Sequence, residues 1–180
     1  MSLDEQTVKK SGVSGETTFE PSEQYLTFFM DEEEYGVDIL SVQEIRGWER
    51  ATSIPNAPSH IRGVINLRGT VVPIVDLRQR FGIAPIEYGP TTVVIVLKVN
   101  EAGKGARIVG VIVDAVSDVH NFKVADIQSS PEMADNNNSA YIKGLGSVGE
   151  NMVILLDINT LLRTDEDVDE LPRSKSKRVH

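Results

Sequence analysis

Cysteine is absent from the sequence, tryptophan occurs once, and histidine occurs three times. Without cysteine there is no disulfide framework, no zinc ribbon and no thiolate nucleophile. The histidines lie apart: His60 beside Pro58 and Ser59, His120 in a polar stretch, and His180 at the end of the chain. No two of them have the spacing of metal ligands. Excess positive charge is missing too, since 18 basic residues stand against 27 acidic ones for a net charge of −9. That is the wrong sign for a protein that grips a phosphate backbone. Residues 1–23 hold no apolar signal core, and no run approaches the ~20 apolar residues of a membrane-spanning helix. Cytosol is the expected compartment.

Catalytic patterns are equally scarce. No G-x-S-x-G elbow and no phosphate loop ending in Gly-Lys-Ser/Thr occurs. Gly144-Leu-Gly-Ser-Val-Gly149 matches G-x-G-x-x-G. That pattern binds dinucleotides only where a helix follows it, and here the apolar run Met152–Leu156 follows instead. A β-turn is the better reading. The carboxylates Glu32–Glu34 sit in a turn where solvation keeps them ordinary acids. The chain is expected to be no enzyme and to need no cofactor or metal.

What is present is β-structure. Tyr25–Met30, Tyr35–Val37, Gly63–Leu67, Thr70–Val75, Thr92–Val99, Ala106–Asp114 and Met152–Leu156 are short apolar or β-branched runs separated by turn residues. Helical pattern is confined to Asp38–Ile45, Asp76–Phe81 and Asp157–Leu162, the last two opening on Asp as an N-cap. The polar segment 1–23 reads as a disordered leader, residues 164–180 as a charged flexible tail, and 24–163 as the folded part.

An internal repeat runs through that folded part. IRGVINLRGTVVPIVDL (61–77) lies without gaps over IKGLGSVGENMVILLDI (142–158), and YGVDILSVQEI (35–45) lies over VGVIVDAVSDV (109–119). Each pairing aligns glycines and Asp caps as well as apolar positions. Two copies of one β unit are expected, too small to stand apart and therefore sharing one core. Gly63 matches Gly144, which marks a backbone requirement. Pro73 matches Ile154, and the ladder bond that Pro73 forgoes predicts an edge position.

Three segments, EEEYGVDILSVQEIRG (32–47), IRGVINLRGTVVPIVDLRQRFG (61–82), and VGVIVDAVSDV (109–119) with YIKGLG (141–146), resemble the CheW-like domain family over nearly all of 24–163. The N-L-R-G-x-x-x-P-I-x-D-L segment is highly specific to such domains. The resemblance implies an all-β fold of two intertwined five-stranded SH3-like β-barrels sharing a hydrophobic core, with a few short helices. It implies an adaptor that bridges the histidine kinase CheA, through its own CheW-like domain, to the cytoplasmic tip of chemoreceptors. It further implies recruitment to membrane-bound receptor arrays without insertion into the membrane. A scaffold in a non-flagellar motility or other chemosensory pathway is the alternative. Carried over position by position, the receptor-groove candidates are Ile39, Val42, Glu44, Arg68, Val116 and Val119, with Glu44 and Arg68 facing each other. No kinase-contacting residue is assigned.

Overall fold

The computed structural model describes residues 20–101, 103, 105–129 and 140–163. Apart from residues 20–23, the expected leader falls outside these, and so does the whole expected tail. Among the described residues, ten strands form two five-stranded sheets. The first sheet contains β1 (Ser22–Met30), β2 (Glu33–Asp38), β8 (Ala115–Lys123), β9 (Ile142–Val148) and β10 (Asn151–Leu156), in the order β8-β1-β2-β10-β9. The second contains β3 (Val42–Gly47), β4 (Ile61–Leu67), β5 (Thr70–Asp76), β6 (Val93–Glu101) and β7 (Gly105–Val113), in the order β3-β6-β7-β5-β4. Two short helices, α1 (Leu77–Arg80) and α2 (Ile158–Arg163), follow β5 and β10.

The two orders are the same order with the halves of the chain exchanged. Each sheet takes a hairpin from one half of the chain (β1–β2 or β6–β7) and three strands from the other. The repeated segments occupy equivalent places down to the register. Gly63 pairs with Ile74 beside a bulge, and Gly144 pairs with Leu155 beside the same bulge. The parallel ladder of β5 on β7 matches Ile74 to Gly110, and that of β10 on β2 matches Leu155 to Gly36. Asp76 and Asp157 both cap a helix, accepting from the N–H groups of Gln79 and Thr160. The expected intertwined all-β pair is therefore what forms. The structure adds an equivalence that the repeat did not contain, that of β1 with β6: Leu26 answers to Ile95 and Phe28 to Leu97.

Alternation explains the apolar runs. Ile95, Leu97 and Val99 of β6, with Leu26, Phe28 and Met30 of β1, enter a core between the sheets. Val94 and Val96 point the other way into the second sheet's own interior, and Tyr25 does so in the first sheet. Strands buried on both faces read as continuous hydrophobic segments.

Both sheets curl until their edges approach. An isolated bridge joins Thr52 to Val64, and its counterpart joins Gln128 to Leu145. That approach explains the aligned glycines: a Cβ on Gly63, whose φ is +136°, would lie 2.1 Å from the Thr52 carbonyl oxygen, and one on Gly144 would lie 2.8 Å from that of Gln128.

Two expectations need correction. Pro73 is not on an edge strand, since β5 runs between β7 and β4. Its ladder to β7 begins only at Ile74, so no partner needs the missing N–H at Pro73. Asp38–Ile45 is not helical beyond the 3-10 turn Ile39–Ser41, because Val42–Gly47 is β3. A β-bulge between Val42 and Glu44 puts Val42 and Ile45 on one face three residues apart. That spacing imitates a helix.

Candidate functional site

Strands β3 and β8 each form one edge of a sheet. Residues paired directly across two strands share a face. Val42 pairs with Leu97 and Ile45 with Ile95, while Val116 pairs with Phe28 and Val119 with Leu26. All four partners belong to the core between the sheets. The two edge strands therefore turn equivalent apolar pairs toward that core. The inner members, Val42 and Val116, are half-buried and pack against it, as does Ile39 in the turn before β3. The outer members lie beyond its margin, Ile45 at 43 % exposure and Val119 at 42 %.

The second strand owes this geometry to a second bulge, between Leu26 and Phe28. Thr27, fully buried there, donates from its hydroxyl to the Asp118 carbonyl (3.0 Å) and accepts from the Asp118 N–H (3.2 Å). A buried strand residue is thus satisfied by the irregular backbone opposite it.

Four of the six candidates, Ile39, Val42, Val116 and Val119, thus border one shared core. Glu44 and Arg68 belong to a different face. Glu44 pairs with Val96, which points into the second sheet's interior. From there its carboxylate accepts from Arg68 Nη2 at 2.6 Å, joining β3 to the β4–β5 turn. Arg46 extends the chain of charges, reaching Glu44 at 3.4 Å and Glu49 at 2.7 Å. The Arg68 hydrogen bond holds the Glu44 carboxyl below its ordinary range, with the Arg68 and Arg46 charges adding to the effect. Glu49 holds the Arg46 guanidinium above its own.

Arg68 is held at φ +51°, and Gly69 after it at φ +89°, in a two-residue turn between the paired Leu67 and Thr70. The Asn66 carboxamide oxygen accepts the Gly69 N–H at 2.8 Å. Asn66 and Arg68 thus build this turn, whereas Ser147 and Gly149 stand at their places in the other half.

Sequence reasoning overlooked Ile45, although its signal was present: Ile45 aligns with Val119 in the repeat. It also overlooked Leu40, an apolar side chain 84 % exposed at the apex of the turn before β3. A separate open cavity of about 500 Å³ lies by Trp48, Arg62 and Tyr88. The Tyr88 hydroxyl donates to the buried Asp76 carboxylate at 2.5 Å, and Arg62 sits over the Tyr88 ring. Burial and Asp76 push the Tyr88 hydroxyl pKa up, so it stays a neutral donor. Among the described residues no cluster of His, Asp and Glu is placed to hold a metal ion, and no helix is long and apolar enough to cross a membrane.

Comparison with known proteins agrees with this fold. A family model described as "CheW-like domain" matches residues 24–166. The chain is 46 % identical over 156 residues to the chemotaxis protein CheW of Klebsiella aerogenes, covering 87 % of this chain and 89 % of that one. It is 37 % identical over 141 residues to the chemotaxis protein CheW of Rhizobium meliloti, covering 78 % and 88 %. The solved structure of the scaffolding protein TtCheW from Thermoanaerobacter tengcongensis superposes with a TM-score of 0.70 at 30 % identity, covering 78 % of this chain and 92 % of that one. With its swapped five-stranded sheets and its N-L-R-G turn, the chain belongs to the CheW-like domain family.

Proposed function

We propose that the protein is a non-enzymatic adaptor that couples chemoreceptors to the histidine kinase CheA, working in the cytoplasm at membrane-bound receptor arrays. The observation that carries this is the pair of equivalent apolar edges, Val42 with Ile45 and Val116 with Val119, at the margin of the shared core. A receptor tip is a helical hairpin, and a helix docks by laying apolar side chains into an apolar trough with a polar rim. The half-buried valines form the floor of that trough and the exposed Ile45 and Val119 its walls. The Glu44–Arg68 pair provides the polar rim on the first sheet edge. Family membership supports the same reading, since the relatives compared are chemotaxis and scaffolding proteins.

The test is reconstitution. CheA autophosphorylation is measured with a receptor cytoplasmic fragment, with and without this protein. Receptor control of the kinase that appears only when the protein is added is the expected result. Equal control in its absence defeats the adaptor reading, and so does turnover of nucleotide by the protein alone.

A further inference from the structure

The chain crosses between the two sheets twice before α2. One crossing is the turn Ile39–Ser41 leading into β3, and the other is Asp114, between β7 and β8. In the repeat these crossings are equivalent, with Leu40 standing where Asp114 stands. Their chemistry differs. At the first, the Asp38 carboxylate accepts the Leu40 N–H at 2.9 Å, and the Leu40 side chain is mostly in solvent.

At the second, the Asp114 carboxylate accepts from Arg78 Nε at 2.9 and 3.2 Å and from the Asp31 N–H at 2.9 Å. The Asp114 N–H donates to the Phe29 carbonyl at 3.1 Å. The Arg78 side chain is only 9 % exposed. Its Nη2 reaches the Asp31 carboxylate at 3.3 Å, and its Nη1 donates to the Ala84 carbonyl. One guanidinium thus ties together α1, the loop after it, the β1–β2 turn and the crossing residue. At the place of Arg78 the other half has Asn159, whose carboxamide oxygen accepts the Asn100 N–H at 2.9 Å, a single neutral bond. Among the described residues, charge-assisted, multidentate bonding therefore locks one crossing and not its equivalent.

We infer that Arg78 is a positioning residue for the receptor trough: by holding Asp114 it sets the direction in which β8 leaves the crossing, and hence where Val116 and Val119 stand. The inference rests on the trough reading given above. Only Ala115 stands between Asp114 and Val116, so a rotation at the crossing is carried directly to that valine. A docking surface has to be held within roughly 0.5 Å and 10–20° to work, and rigid surroundings supply that hold. Among the described residues, the β3 side, entered through the Leu40 turn, has no such ionic lock.

The test uses the full chain and the double variant Arg78→Met/Asp114→Leu, which removes both charges together so that neither is left buried alone. Asp31, whose side chain is 60 % exposed, then faces water. Arg78→Lys is the second variant, keeping the charge and losing the fork. Melting, the methyl NMR resonances of Val42, Ile45, Val116 and Val119, and affinity for a receptor cytoplasmic fragment are read on each. In the double variant the Val116 and Val119 methyls should move while those of Val42 and Ile45 stay. Affinity should fall about tenfold, with Arg78→Lys between it and the parent. Should the double variant not fold, Arg78→Lys decides on the same readouts.

Unmoved Val116 and Val119 methyls with parental affinity overturn the inference. Shifts spread over all four methyls, with affinity lost in proportion to stability, overturn it as well by making Arg78 a purely structural residue. Val119→Asp separates the two claims. If it binds receptor normally, the trough and this role fall together; if it loses binding while the Arg78 variants bind like the parent, only the positioning role falls.

Discussion

Arg68 and Gly149 occupy the same left-handed turn position in the two halves of the molecule, at φ +51° and +61°. Glycine adopts that conformation freely, whereas any other L-residue is disfavoured there by about 1 kcal/mol. The first half retains a strained arginine where the second shows that glycine suffices. Strain kept at one copy of a repeated turn points to work done by its side chain. Arg68→Gly is therefore expected to leave the melting temperature unchanged or raise it, since the exposed ion pair it removes adds little to stability. Receptor control of the kinase should weaken in the same protein. A clear drop in melting temperature with control intact would make the Arg68–Glu44 bridge a fold element and nothing more.

The outer walls of the trough can be probed without disturbing the core. Ile45 and Val119 are each more than two-fifths exposed, so a carboxylate at either place remains hydrated in the free protein. Ile45→Asp and Val119→Asp should melt within about 0.5 kcal/mol of the parent, as surface substitutions do. Docking an apolar helix over that charge typically costs several kcal/mol, enough to abolish a micromolar complex at ~1.4 kcal/mol per tenfold. Val42→Asp and Val116→Asp combine the two effects, because those valines also pack on the core. They should lose stability and binding together. Titration of a receptor fragment against all four, beside thermal melts, checks both statements.

The pH dependence of the Glu44–Arg68 pair has a definite sign. The hydrogen bond from Arg68 lowers the Glu44 carboxyl below its ordinary value of 4.5. A depressed acid contributes its stabilisation in full above the unfolded value, and that contribution fades as pH falls through the folded value. Receptor coupling should accordingly be flat from pH 8 down to about pH 5 as far as this pair is concerned. In the parent, the Glu44 side-chain carboxyl carbon should titrate below pH 4.5 by NMR. In Arg68→Ala it should return toward the ordinary range. An unchanged titration in that variant would contradict the pairing.

Gly63 is expected to be the least replaceable of the aligned glycines. Alanine there would carry a Cβ at 2.1 Å from a backbone oxygen at a φ of +136°, so no side-chain movement relieves it. Gly63→Ala should cost about 2–4 kcal/mol, the size seen when a special backbone conformation is broken. Gly144→Ala, with the nearest backbone oxygen at 2.8 Å, should cost less. Chemical denaturation of both variants gives the comparison directly.

The sequence by itself determined what nearest neighbours control. β-branched runs declared most of the strands but not β3, whose residues read as helical, nor β8. Asp76 and Asp157 declared the helix caps, and the alignment of 61–77 with 142–158 declared two equivalent units. The N-L-R-G turn and its neighbours were enough to indicate the family, and that resemblance implied Glu44 facing Arg68. Only the tertiary structure decided how the halves are exchanged between sheets. Which strand pairs with which depends on the faces left open after distant segments have packed, and no local pattern encodes that. The bulges opposite Leu97 and Phe28 are of the same kind. They give Val42 and Ile45 a helix-like spacing in the sequence, yet their effect on direction exists only once β6 and β1 are alongside. Arg78 shows the limit most plainly. In the sequence it is one of two arginines after an Asp cap, and it becomes the lock on a chain crossing only because Asp114 and Asp31, far from it along the chain, are brought to its guanidinium.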